Sequence, residues 1–175
     1  MNESSESPRP RVARWEDADR ASVLALLAEY GLQLVDVPAG APIPGSYWGD
    51  DEAGLIENRL YARPDTPLHS ILHESCHYIC MDPTRRAALH TDAGGDYDEE
   101  NAVCCLQIML AGRVDGYSAG ACMRDMDRWG YSFRLGSAQA WFERDAEDAR
   151  AGLRARGIDP ATGKRTDGAF PAPTA

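Results

Sequence analysis

The sequence predicts an α+β fold, with a small sheet packed on a mainly helical body. Three observations carry this. Residues 32–37 (LQLVDV) alternate apolar and polar at the period of a strand. Residues 47–51 (YWGDD) and 53–62 (AGLIENRLYA), with a turn at Pro64, together read as one or two further strands running into a helix. Leu68, Ile71, Leu72, Cys76 and Ile79, and later Val103, Leu106 and Leu110, recur at helical spacing. At 175 residues the chain fits one domain. Its bounds are expected at 15–156, with polar, proline-containing residues 1–14 as a disordered lead. The Pro-, Gly-, Ala- and Thr-rich residues 157–175 are expected as a disordered tail.

The elements follow in order. A first helix is expected from Glu16 to Tyr30, with Val23, Leu24, Leu26 and Leu27 on its buried side and Gly31 closing it. The strand at 32–37 comes next, and then a loop, VPAGAPIPGS. YWGDD and AGLIENRLYA supply strands, and Pro64 marks a turn. Thr66-Pro67 gives an N-cap and a proline at the first helical position. Asp82-Pro83 ends that helix, because the residue before proline is pushed out of the α region. An acidic loop precedes a helix over Asp98–Ala111, with Gly112 as its C-cap. Helices at Ser118–Trp129 and Ser137–Arg156 flank GYSFRLGS, a loop or short strand.

The chemistry lies in His73-Glu74-Ser75-Cys76-His77, an HExxH pattern. Residues four apart on a helix share a face, with Cβ atoms roughly 5–6 Å apart. Two imidazoles so placed can close on one zinc ion at about 2.0–2.1 Å each. Glu74 can reach a water held at the ion without ligating it, the position of a general base.

A third ligand is expected from the helix that begins near Asp98. Glu99 shares a face with Val103, Leu106 and Leu110, the apolar side expected to pack on the HExxH helix. A carboxylate at the start of such a stripe needs a partner, because burying it unpaired is costly. Facing therefore favours Glu99. Glu100, beside Cys104, Gln107 and Ala111, is the alternative ligand, or a carboxylate complementing the helix dipole. His69 shares the histidine stripe, but at eight residues from His77 it lies about 12 Å along the axis. A capping or surface role is expected for it. A donor to the developing oxyanion is also called for, and His90, Tyr117, Tyr131 and Arg134 are the candidates.

HExxH followed some twenty residues on by a Glu-bearing helix resembles the gluzincin branch of the zincin metallopeptidases. It is similar in scale to small cytosolic bacterial members of the ImmA/IrrE type, and to short bacterial proteins with an HxxxHYIC stretch. The resemblance covers roughly residues 45–112. Glu99 with Ala102 matches the Glu-x-x-Ala spacing of several such families, whereas Val103 departs from their polar residue four after the ligand. The resemblance implies a zincin-like fold and a zinc-dependent peptidase acting on a peptide or protein. A strand ahead of the HExxH helix would then hold extended substrate by edge pairing.

Composition narrows the partners. A net charge of −10 argues against nucleic acid or an anionic membrane. The N-terminus has no apolar signal-peptide core, and no apolar run approaches the roughly 18 residues a membrane span requires. Five cysteines, an odd number, suit reduced thiols in the cytoplasm. Cys76, Cys80, Cys104 and Cys105 fall near the expected metal, as small buried residues or as redox-sensitive groups. The competing function is a non-catalytic binding or regulatory protein with a structural or redox-sensitive metal site. Nothing in the pattern fixes an oligomeric state.

Overall fold

A computed structural model describes residues 8, 10–47, 49–91 and 93–166. The described residues form an α+β chain of seven α-helices and a three-stranded mixed sheet. In order these are α1 (Arg20–Glu29), β1 (Gln33–Asp36), β2 (Gly54–Ile56), β3 (Arg59–Ala62), α2 (Leu68–Cys80), α3 (Pro83–Ala87), α4 (Tyr97–Ala111), α5 (Ala119–Trp129), α6 (Ala138–Arg144) and α7 (Glu147–Ala155). Single 3-10 turns lie at Trp15–Asp17 and Arg134–Gly136. None of these helices is long and apolar enough to cross a membrane.

The sheet has the order β1-β3-β2, with β1 parallel and β2 antiparallel to β3. Leu34 pairs with Leu60 across the first ladder and Leu55 with Leu60 across the second. The outer edge of β2 is taken up by other parts of the chain. Leu55 N–H donates to the Gly45 carbonyl at 3.2 Å, Thr91 N–H donates to the Leu55 carbonyl at 3.1 Å, and Glu57 N–H donates to the Leu89 carbonyl at 2.9 Å. The edge pairing expected for substrate is therefore made here by residues 89–91.

Helix α2 packs between the sheet and α4, and α4 in turn packs on α5 and α7. Leu68, Ile71, Leu72 and Ile79 are each no more than 2% exposed. Burying such side chains contributes about 1.5–3 kcal/mol apiece. Apolar packing, not the polar residues beside it, thus fixes the pose of the histidine-bearing helix.

Several boundaries differ from the sequence reading. The first helix starts at Arg20, capped by Asp19, whose side chain accepts from Ser22 N–H, and Leu24 faces outward at 39% exposure. Pro67, not Thr66, occupies the N-cap of α2, while the Thr66 hydroxyl accepts from Arg63 N–H. Asp82-Pro83 both ends α2 and starts α3, because Asp82 accepts from Arg85 N–H with proline in the first turn. The helix expected over Ser137–Arg156 is two, broken at Asp145-Ala146.

Neither flank is loose where it is described. Ala13 N–H donates to Asp125, Ala13 C=O accepts from Leu68 N–H, and Arg14 pairs with Asp51 at 2.5 Å. Residues 157–166 fold back as a turn in which Ile158, fully buried, bridges Arg165. The Tyr30 hydroxyl donates to the Gly163 carbonyl at 2.8 Å. Gly163 has φ +72°, and a β-carbon there would lie 3.1–3.2 Å from Leu106 and Leu110 side-chain carbons, so glycine is what lets the turn close on α4. The ordered chain thus extends beyond 15–156 at both ends. Residues 1–7 and 9 of the expected lead and 167–175 of the expected tail lie outside the described residues.

Candidate metal centre

The i, i+4 spacing on α2 puts His73 and His77 edge to face, with ring centroids 4.8 Å apart. Their Nε2 atoms approach to 3.2 Å. The Glu100 carboxylate, from the first turn of α4, lies 3.1 Å from His77 Nε2 and 3.6 Å from His73 Nε2. The ligand atoms of these three residues all fall within 4.8 Å of one another. Tetrahedral ligation at about 2.05 Å places two donor atoms roughly 3.3 Å apart. The observed spacings fit that figure.

The donor set also fits a cation electrostatically. Two positive charges at the Nε2 separation would repel by roughly 5 kcal/mol at an effective dielectric constant of about 20. Only one ring can then hold an extra proton. Burial, reinforced by His77, holds the His73 pKa down, against the opposing pull of Gln107 and Glu100. Burial would also lower His77, but Glu100 and then Glu99 outweigh it and push it up. Three lone pairs facing one point are stable only around a positive charge.

Neighbouring groups orient these donors. Gln107, two turns along α4 from Glu100, accepts from His73 Nδ1 at 2.9 Å through Oε1 and donates to the His69 carbonyl at 2.8 Å through Nε2. With Nδ1 protonated, the His73 Nε2 lone pair faces the cluster. His77 Nδ1 is buried without a hydrogen-bond partner, and Glu99 Oε1 lies 3.7 Å away. That is ion-pair range but beyond hydrogen-bond length.

Glu99, the ligand favoured by facing, does not join the cluster. Its carboxylate is gripped by both terminal nitrogens of Arg85, at 2.5 and 3.1 Å. Burial would raise its pKa, but His77 and Arg85 outweigh this and hold it at about 2. Arg85 also donates to the Gly94 carbonyl at 3.0 Å, tying the 93–95 loop to Glu99. A β-carbon on Gly95 would stand 2.7–2.8 Å from Glu99 side-chain atoms, so the loop passes over Glu99 only as glycine. Facing does not bring Glu99 to the cluster because α4 is covered on several sides. Ala102 lies against α7, Leu106 and Leu110 lie against the turn at Gly163, and the smaller Glu100–Cys104–Gln107 face meets the histidines.

The cluster opens into a cavity of about 790 Å³ whose wall includes Glu74, Glu52, Trp129, Tyr131 and Phe133. Burial, opposed by His77, pushes the Glu74 carboxyl up to about 7. Of the four candidate donors, Tyr131 lines this cavity, with its ring edge-on to His73 at 5.6 Å. Tyr117 donates to Asp125 at 2.9 Å, Arg134 is taken by Asp145 at 2.7 Å, and exposed His90 pairs with Thr91. His69, expected as a cap or surface residue, is fully buried. It contacts the Tyr131 hydroxyl at 3.3 Å through Nδ1, and burial lowers it to about 3. All five cysteines are free. Cys104 lines the cavity, the other four are buried in the core, and burial raises the pKa of each.

Against known proteins, the chain matches no family model, no curated protein and no solved structure. The site's meaning therefore rests on its own geometry.

Sequence inspection missed Gln107, Glu52 and Trp129. A weak signal existed for Gln107 alone, a polar residue on a helix face otherwise made of small residues.

Proposed function

We propose that this protein is a zinc-dependent hydrolase of zincin-like design that cleaves a peptide bond. One observation carries the proposal. Two imidazole Nε2 atoms 3.2 Å apart and the Glu100 carboxylate converge at the wall of a cavity that Glu74 also lines. His73, His77 and Glu100 would hold the ion. Three protein ligands leave one position open, as catalytic zinc sites do and structural ones do not. Zinc, when bound, supplies Lewis acidity to the scissile carbonyl and to an attacking water.

The remaining work falls to the chain. Glu74, with its carboxyl raised to about 7 by burial, takes the proton of the attacking water and returns it to the departing amine. Gln107 fixes the His73 ring, and Glu99, held by Arg85, stands behind His77. Of the candidate donors to the oxyanion, Tyr131 is the one on the cavity wall, edge-on to His73, and its hydroxyl would have to turn from His69 to serve.

The occupied outer edge of β2 favours the second reading, a non-catalytic binding protein, because it denies an extended peptide its usual seat. Glu74→Gln decides between them. The variant is expected to keep about one zinc per chain while hydrolysis of a peptide library falls roughly 10²–10⁴-fold, the range for a general base. Wild type and variant both holding zinc and both inactive would establish the binding reading. A zinc-supplemented wild type without bound metal would sink the hydrolase reading.

A further inference from the structure

With His73, His77 and Glu100 assigned to the ion and Glu74 to the proton, one charged group on the cavity wall has no task. Glu52 accepts a single hydrogen bond there, from Trp129 Nε1 at 2.8 Å through Oε1. The charged neighbours that act on it, Asp51 and Asp50, are negative, and it acts as a negative neighbour on Glu74. Among the described residues no lysine or arginine lines the cavity. A half-buried carboxylate with one neutral donor has unused acceptor capacity, and a cationic partner would complete it.

The wall beside Glu52 has matching chemistry. The Arg14 guanidinium lies over Trp129, 5.4 Å from the indole ring centre. Tyr131 and Phe133 stack nearly parallel, with centroids 6.3 Å apart, and Phe133 rests on Trp141 at 5.1 Å. Aromatic faces attract cations and cover the apolar stems of long basic side chains. The chain's net charge of −10 draws cationic ligands toward it.

We infer that the cavity takes a peptide bearing an arginine or lysine side chain, its positive end received by Glu52 beside the wall formed by Trp129, Tyr131 and Phe133. The inference rests on the cavity being the substrate site of the proposed hydrolase, and it names the class of substrate.

Binding can be measured without turnover. Four labelled five-residue peptides, identical but for a central arginine, lysine, glutamine or glutamate, would be titrated into the full zinc-loaded chain carrying Glu74→Gln. Fluorescence anisotropy is expected to show the arginine and lysine peptides binding about tenfold or more tighter than the glutamine peptide, as a charge-assisted hydrogen bond implies. The glutamate peptide should bind weakest. Adding Glu52→Gln, which keeps an acceptor for Trp129, should erase the ranking while leaving the melting temperature in place. Should that variant fail to fold, loss of the ranking in 1 M salt on the Glu74→Gln protein is the second measurement.

Equal affinities, no binding by any peptide, or a basic preference that survives Glu52→Gln would overturn the inference. Hydrolysis by wild type without charge preference would overturn it too, yet leave the peptidase reading intact. Charge-selective binding without hydrolysis would do the reverse.

Discussion

The two ends of α4 are built for different tasks. Its first turns carry Glu99, Glu100 and Cys104, and the two glutamates lie against His77. Its last turns carry Leu106, Ile108, Leu110 and Ala111, each at most 1% exposed, with the turn at Gly163 clasped over Leu106 and Leu110. One helix therefore joins a polar site to the buried core. Damage at either end should leave the other property standing.

The sharpest division is expected at the polar end. Glu100→Ala and His77→Ala should each weaken zinc binding by more than about a hundredfold, beyond the loss caused by removing an outer partner. The fold should persist by circular dichroism. If Glu99→Ala costs more zinc than Glu100→Ala, the polar end has been drawn with the wrong carboxylate.

The apolar end gives the converse. Leu106→Ala should lower unfolding free energy by about 2–5 kcal/mol in denaturant titration, through lost burial and the cavity left behind. Zinc per folded chain should stay near wild type. A parallel loss of metal affinity would show that the two ends are coupled. Between them stands Gln107, which belongs to the helix's middle and serves the site. Gln107→Ala should reduce zinc affinity about 10–100-fold by freeing the His73 ring, with competition against a chelator as the measurement.

The smallest effect is expected where the C-terminal turn is fastened. Tyr30→Phe removes the hydroxyl that donates to the Gly163 carbonyl and should cost about 1 kcal/mol of stability. Faster amide exchange in residues 157–166, with the site unaffected, would confine that cost to the clasp.

What could be read from the sequence follows the range of the interactions involved. The HExxH helix ends within a residue of its expected limits, because Pro67 and Pro83 act on their immediate neighbours. His73 and His77 share a face because helical spacing alone puts them there, and Glu74 follows beside them on the same cavity wall. The choice between Glu99 and Glu100 depends on which side of α4 meets α2, and α4 is apolar on more sides than one. The break between α6 and α7 has no glycine or proline to announce it. His69 looked like a surface residue because nothing local reveals that Trp129 and Tyr131, some sixty residues on, close over it. The turn at 157–166 reads as loose by composition, yet Ile158 and Gly163 are enough to pin it to the core.

The strands on which α2 rests carry one more consequence. A short three-stranded sheet ordinarily leaves its outermost backbone groups open to pairing with another molecule, the usual first step of β-mediated aggregation. Here the outward N–H and C=O of Leu55 are satisfied by Gly45 and Thr91, and the next N–H, of Glu57, by Leu89. That flank of the sheet offers no template to a second copy. The loop that denies a seat to an extended peptide also keeps the molecules from adding to one another along β2.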